Sequence, residues 1–589
     1  MNQDYKIKLR GIPASPGIAI GKIHLLSGGV IKIQEKLLKD HEIEPEIQKF
    51  QQAVDKAKAE LQKLQQRATQ KLGVDDKDAE IFDVHLMLLN DPAVINQTIE
   101  LIREEKKNAD LIFYRHMSHF QNMFENSVSG EYFKEKSADI LDVKRRVIRL
   151  IQGLRCDYLS ALEESSVIVA RELTPSETIM LDRNKILAFA TDMGSRTSHA
   201  AIMARSLAIP SVVGLEHLSE AVNQYDTIIV DGNKGEIIIE PSPDILEEYQ
   251  KLQADYYAYE RNLVKFKDLP CRTLDGKDIE LSANLEFPDE IESVISHGAN
   301  GIGLYRTEYL FLAKSELPSE EEQFEAYRSV AEKIAPNSVI IRTADLGGDK
   351  SPISLSIPKE DNPYLGWRAI RICLKETDMF KAQLRAILRA SSYGNIKIMF
   401  PMISCIEELT QCLALLDEAK QELIDNNLSF NDNIEIGTMI EVPSAALMTD
   451  VIARKVDFLS IGTNDLIQYT LAADRGNERI SYLYENFPPA VIRLIKQIVD
   501  SGHRKGVWVG MCGEMASDPK AVLVLIGLGL DELSLSPVAL PEIKKIIRSI
   551  KYSEATHIAQ KVMQMETAIE IRNYLDELTE NKLKDLAFV

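Results

Sequence analysis

No stretch of this chain is apolar for long enough to cross a bilayer. The longest such run, AVLVLIGLGL at 521–530, contains two glycines and reads as a buried helix. The opening residues MNQDYKIKLR have no apolar signal core. Paired cysteines are missing too: Cys156, Cys271, Cys373, Cys405, Cys412 and Cys512 are scattered without C-x-x-C spacing, which points to the reducing cytoplasm. Positive charge is in deficit. With 69 basic against 90 acidic side chains the net charge is −21, which argues against nucleic acid or an anionic membrane as the main partner. An anionic ligand would therefore need arginines gathered locally. What is present is ordinary for a globular protein, 45% apolar and 27% charged, and 589 residues exceed one core, implying several domains.

Residues 7–26 alternate β-formers with Gly and Pro, as short strands joined by tight turns do. From about 35 to 153 glycine becomes scarce and apolar residues recur at three- and four-residue spacing, which predicts a helical bundle. Within it Asn90-Asp91-Pro92 should stop one helix and start the next, and His85 reads as a partly buried bundle residue. Strand texture resumes in SSVIVA, KILAFAT, SVVG and DTIIVDGNKGEIIIE, so the bundle reads as an insertion into a β-rich domain. Residues 241–269 read as a helical linker.

After Cys271 eight β-like segments alternate with helical ones: 279–285, 301–307, 338–344, 396–402, 434–441, 458–463, 507–513 and 532–537. Eight β/α repeats predict a (β/α)8 barrel, whose chemistry sits at the C-terminal ends of the strands. Arg306, Arg342, Glu441, Asn464, Asp465 and Cys512 fall at such ends, where buried arginines and carboxylates should be hard to pair with one another. Arg306, Arg342, Arg368 and Arg475 form a candidate pocket for phosphate and carboxylate on one small molecule, the alternative being structural ion pairs. Glu441 and Asp465 offer hard oxygen ligands suited to Mg²⁺, or are carboxylates neutralised by those arginines. Cys512 is either a proton donor or a small buried hydrophobe.

The stretch GSRTSHAAIMARSLAIPSVVG, 194–214, places His199 where turn and cap residues give way to helical spacing. Unpaired N–H groups and the positive dipole end at a helix start attract anions and favour a neutral, nucleophilic imidazole. Arg205 could reach back toward a phosphate there, and the Thr178 hydroxyl could orient the ring. A capping or core histidine is the plainer alternative.

Taken together, GSRTSHAAIMARSLAIPSVVG, LTPSET, GIGLYRTEYLF, DLGGDK, NPYLGWRAIR, EVPSA, SIGTNDLIQYTLAADRGN and GMCGEMASD resemble, over essentially the full chain, the enzyme I family of the bacterial sugar phosphotransferase system. The resemblance implies an α/β multidomain protein. Residues 1–34 and 154–240 would form a swivelling phosphohistidine domain, 35–153 an inserted helical carrier-binding domain, 241–270 a helical linker, and 271–589 the TIM barrel that binds phosphoenolpyruvate and dimerises. It further implies that Glu441 and Asp465 hold Mg²⁺, that Arg306, Arg342, Asn464 and Arg475 cradle the substrate, and that Arg368 and Lys350 lie nearby. His199 would attack the phosphorus through Nε2, Cys512 would protonate the enolate carbon as pyruvate leaves, and the phosphoryl group would pass to the small phosphocarrier protein HPr. Departures are small: Ser195 stands where the family usually has a second glycine, and Ala200 and Ala201 replace a hydroxyl residue common after the histidine.

Three rivals are weighed against this reading. A pyruvate phosphate dikinase or phosphoenolpyruvate synthase needs an ATP-binding domain, whereas only ten residues precede Gly11 and the bundle has no G-x-x-x-x-G-K loop. The nitrogen-regulatory paralogue usually carries a further domain in front. A catalytically dead carrier-binding protein would have no use for His199, both carboxylates and four arginines.

Overall fold

The computed structural model describes residues 5–26, 33–72, 80–127, 131–153, 164–173, 185–194, 201, 204, 209–312, 316–348, 355, 360–475, 477, 480 and 483–582. Contacts divide the chain into two compact units, Met1–Ala258 and Tyr259–Val589. The boundary falls inside one helix.

In the first unit the expected strands form a single eight-stranded sheet. They are β1 (Tyr5–Arg10), β2 (Ile12–Ser15), β3 (Ile18–Leu25), β4 (Ser166–Ala170), β5 (Ile186–Thr191), β6 (Ser211–Val213), β7 (Thr227–Asp231) and β8 (Glu236–Pro241). Their order is β1-β8-β7-β3-β4-β5-β6-β2. Strand β3 pairs in parallel with β4 through Ile23 and Val167, although more than a hundred residues separate them, so the intervening helices are an insertion between neighbouring strands. Those helices are α1 (Ile43–Leu72), α2 (Glu80–Asn90), α3 (Pro92–Glu105), α4 (Ala109–Ser127) and α5 (Glu131–Ile151). They bury a core of their own around Phe50, Phe82, Phe113 and Val147, separate from the sheet's core around Val167, Ala188 and Val230.

The stop at 90–92 works as its residues dictate. Asp91 is the N-cap of α3, its carboxylate accepting from Ala93 N at 2.8 Å, and Pro92 occupies the first turn, where no N–H is needed. His85 is fully buried, deeper than its partly buried expectation. After β8 the expected linker is helix α6 (Pro243–Leu263), whose Gln253 side chain donates to Ile18 O within the first unit.

The second unit is a closed parallel barrel of β9 (Glu280–Leu285), β10 (Ile302–Tyr305), β11 (Ser338–Arg342), β12 (Asn395–Phe400), β13 (Glu435–Ile440), β14 (Phe458–Ile461), β15 (Trp508–Met511) and β16 (Glu532–Leu535). β16 closes on β9 with Glu532 opposite Glu280. The apolar run near 521–530 is a helix, Pro519–Leu528, capped by Asp518 and ended by Gly529 at φ 102°. Its residues from Ala521 onward are all buried, which explains a sequence apolar on every side. No helix among the described residues is long and apolar enough to cross a membrane.

Candidate active site

Four of the barrel strands end on, or lead directly into, polar side chains gathered at one mouth. Arg342 is the last residue of β11, Glu441 follows β13, Asn464 and Asp465 open the helix Thr463–Leu471 after β14, and Cys512 follows β15. Four of these are almost completely buried: Arg342 and Asp465 are each 6% exposed, Glu441 2% and Cys512 3%.

Contrary to the expectation from sequence, the buried charges do find one another. Arg342 Nη2 lies 3.0 Å from Glu308 Oε2, and Nη1 lies 3.2 Å from Asp345 Oδ2. Arg368 Nη2 donates to both oxygens of Asp345 and to Asp465 Oδ2 at 3.1 Å, while Nη1 donates to the Tyr469 hydroxyl at 3.0 Å. Asp345 thus bridges two guanidiniums. Structural pairing and an anion pocket are not exclusive, because ion pairs of this kind hold each guanidinium fork in place before an anion arrives. Arg306 pairs with Glu286, and Thr307 beside it donates to Arg342 O at 2.9 Å. Asn464 spans to the turn at Glu514, accepting from its N–H at 3.0 Å. Arg475 donates its backbone N–H to Gln468 Oε1 at 3.1 Å, and its side chain lies beside the Tyr484 phenol.

The loops carrying these groups adopt costly backbone geometry. Ala369, Met402 and Ala472 all have positive φ, at 51°, 55° and 52°. They adjoin Arg368, donate a backbone N–H to Glu441 Oε1 at 2.6 Å, and end the Asp465 helix respectively. Non-glycine residues keep such angles only where surrounding packing enforces them, and these three sit around one site. Gly347, at φ 96°, has a related purpose: a Cβ there would come within 2.8 Å of Arg368 Cα, so the glycine lets the Arg368 loop close on Asp345.

The charge count bears on a cation. Among the described residues, buried Glu308, Asp345, Glu441 and Asp465 face two buried guanidiniums, Arg342 and Arg368. Burial, with Asp465 and Asp345 close by, pushes the Glu441 carboxyl up to about 8. Asp465 Oδ1 is buried and has no hydrogen-bond partner among the described residues. Uncompensated carboxylates at this depth are costly, and protonation of Glu441 or a bound cation would each offset them. Among the described residues no cluster of three or more His, Cys, Asp or Glu side chains is arranged to hold a metal. Glu441 and Asp465 fit a hard cation as two ligands, with substrate oxygens and water required for the rest.

At Cys512 burial pushes the thiol up to about 11, despite the nearby Ser460 hydroxyl and Arg342, which pull the other way. The group stays protonated at neutral pH, as a donor requires. Among the described cysteines, alkylation of the native protein at pH 8 should therefore spare Cys512 and reach half-buried Cys405 first, with peptide mass spectrometry giving the order. Early labelling of Cys512 would contradict that thiol state.

His199, Thr178, Arg205 and Lys350 lie outside the described residues; Ala201 and Ala204, which flank that stretch, are helical and fully buried. Sequence reasoning missed Glu308, Asp345 and Tyr469. The signal is present, since Glu308 follows Arg306 in YRTE and Asp345 follows Arg342 in IRTAD, but both stand in the first loop positions, past the strand ends where barrel chemistry is expected.

Comparison with known proteins agrees with this geometry. Three family descriptions match: "PEP-utilising enzyme, N-terminal" at 10–136, "PEP-utilising enzyme, mobile domain" at 162–235 and "PEP-utilising enzyme, PEP-binding domain" at 260–552. A phosphoenolpyruvate-protein phosphotransferase of Bacillus sp. (strain S) is 46% identical over 96% of this chain and 97% of its own. That of Bacillus subtilis (strain 168) is 44% identical over 97% and 99%. A solution NMR structure of an Enzyme I protein is 39% identical, covers 42% of this chain and 99% of its own, and has a TM-score of 0.38; the assignment rests on the full-length relatives.

Proposed function

The chain belongs to the phosphoenolpyruvate-protein phosphotransferase family, and from that premise we propose that it moves the phosphoryl group of phosphoenolpyruvate onto His199, and thence to a histidine of the carrier HPr, releasing pyruvate. The observation that carries this reading is the set of buried, mutually braced guanidiniums and carboxylates at one barrel mouth, beside a protonated thiol.

In this reading Arg306, Arg342, Asn464 and Arg475 bind the phosphate and carboxylate of the substrate, with Arg368 and Lys350 in support. Forked donors suit both anions, and phosphoryl transfer needs positioning and charge neutralisation more than covalent help. Mg²⁺, held by Glu441 and Asp465, would neutralise charge on the substrate oxygens. His199 Nε2 attacks the phosphorus as the ester P–O bond breaks, with Thr178 orienting the ring and Arg205 near the phosphoryl group. The enolate left behind takes a proton on its methylene carbon from Cys512, and pyruvate departs. The division into 1–34 with 154–240, 35–153, 241–270 and 271–589 assigns the histidine, the carrier surface, the linker and the substrate site in turn. Within the bundle the helices around 70–90 are the proposed carrier contact. The barrel is also the proposed homodimer contact, and the cytoplasm the proposed compartment.

The test offers two substrate sets. With labelled phosphoenolpyruvate, Mg²⁺ and HPr, label should move onto the carrier histidine, and EDTA should stop it. With ATP, pyruvate and phosphate no phosphoenolpyruvate should form. Efficient synthesis from ATP would replace this reading with a dikinase or synthase.

A further inference from the structure

Cys512 has a difficulty once it has given up its proton. It is 3% exposed, and a thiolate in that place must be reprotonated before the next turnover. The source has to be close by.

Inside the same barrel lies a carboxyl group that the reaction above does not use. Glu532 on β16 is 2% exposed, and its Oε2 makes no hydrogen bond among the described residues. Alternation along β16 sends Leu533 and Leu535 to the outer core, leaving Glu532 and Ser534 facing inward. Glu532 stands opposite Gly510, two residues before Cys512 on β15. Two glycines make room for it. A Cβ on Gly510 would come within 2.6 Å of Glu532 Oε2, and one on Gly303 within 2.7 Å of Oε1 and 2.6 Å of Ser534 Oγ. Ser534 Oγ donates to Asn284 Oδ1 at 2.7 Å, and Asn284 Nδ2 donates to Cys512 O at 3.1 Å. That bonded chain ends on the Cys512 backbone carbonyl. Nearer the reacting groups, the Ser282 hydroxyl lies beside the carboxyl and the Ser460 hydroxyl beside the thiol, and both oxygens are buried without a hydrogen bond among the described residues, so each can turn toward its neighbour.

We propose that Glu532 is the internal proton store for Cys512, its carboxyl group reprotonating the thiolate by way of the inward-facing hydroxyl groups. The inference rests on the reading of Cys512 as proton donor. In the forward direction the Cys512 S–H bond breaks as the new C–H bond of pyruvate forms. The Glu532 O–H proton then passes to sulfur, and solvent later returns a proton to the carboxylate. The direction is downhill: burial and Glu280 push the Glu532 carboxyl up to about 7, below the thiol at about 11. Facing Glu532 are Glu280 on β9 and Lys397 on β12; facing Cys512 are Arg342 on β11, Glu441 after β13 and Glu532 itself. Glu532 acts through Cys512 and touches no substrate.

The experiment runs the half-reaction backward on the full-length phosphoenzyme, with pyruvate labelled at carbon and, separately, tritiated on its methyl group. Carbon exchange into phosphoenolpyruvate reports phosphoryl transfer; tritium release to water reports whether the abstracted proton leaves Cys512. Glu532→Gln should keep carbon exchange and lose tritium release by on the order of tenfold or more, because the thiol hands the same hydron back. Glu532→Asp should recover part of the release. Ser282→Ala, which leaves the carboxyl in place, should show the same uncoupling should the Gln variant not fold. Tritium release that stays coupled to carbon exchange, or a fall in both by one factor, would overturn the proposal. Wild type with no carbon exchange would instead reject the proposed function itself.

Discussion

His199→Ala retains no acid-labile phosphoryl label from phosphoenolpyruvate, while its affinity for the substrate stays near that of the parent. The barrel mouth supplies arginines to bind and carboxylates to hold a cation, but among its described residues it offers no good nucleophile for phosphorus. Cys512 is the thiol beside Arg342 and Glu441, and burial keeps it protonated, which removes most of its nucleophilicity. The other groups described there are guanidiniums, paired carboxylates, an amide and two hydroxyls: that of Thr307 already donates to Arg342 O, and burial pushes the Tyr469 phenol up to about 12. Loss of the imidazole therefore removes the acceptor outright, in contrast to the partial losses that follow when a positioning group is removed. Substrate binding survives because Arg306, Arg342, Glu441 and Asp465 are untouched. Filter retention of label after a mild alkaline wash and direct titration of phosphoenolpyruvate separate the two quantities. Full labelling of the alanine variant would mean that another residue carries the phosphoryl group.

Cys512→Ala shows the second large effect, a fall in the rate of pyruvate formation on the order of 10²- to 10⁴-fold, the range associated with losing a general acid. Binding changes little, since the thiol is a buried neutral group and alanine keeps most of its packing. The parent rate carries a pH signature as well. A donor whose pKa is raised to about 11 is fully protonated below that value, so its step stays flat across neutral pH and declines only as pH rises toward 11. Rapid-quench measurement of pyruvate, with substrate affinity measured in parallel, tests the split. An effect confined to affinity would take the proton from Cys512 and give it to another group.

The barrel was legible because each of its strands is short, apolar and bounded by turn residues, so all eight stand out from the helical periodicity around them. The inserted bundle was legible for the opposite reason, a glycine-poor run set between two β-rich segments. The pairing within the site was harder to read. That Asp345 bridges Arg342 and Arg368 depends on a loop folded back at Gly347, and no local pattern encodes the meeting of residues from separate repeats. Glu532 was invisible in the same way. In the sequence it is one acidic residue opening a strand, and only closure of β16 against β9 and the two facing glycines turn it into a buried carboxyl. Strand alternation shows which face a residue takes, while its partners across a barrel follow from closure.

The central claim is that this chain carries phosphate on one histidine. Incubation with Mg²⁺ and phosphoenolpyruvate labelled at phosphorus, followed by peptide mapping, tests it most directly. The account predicts acid-labile, base-stable label confined to the peptide that contains His199, with one pyruvate released for each label bound. Absence of label, or label on any other peptide, would contradict it.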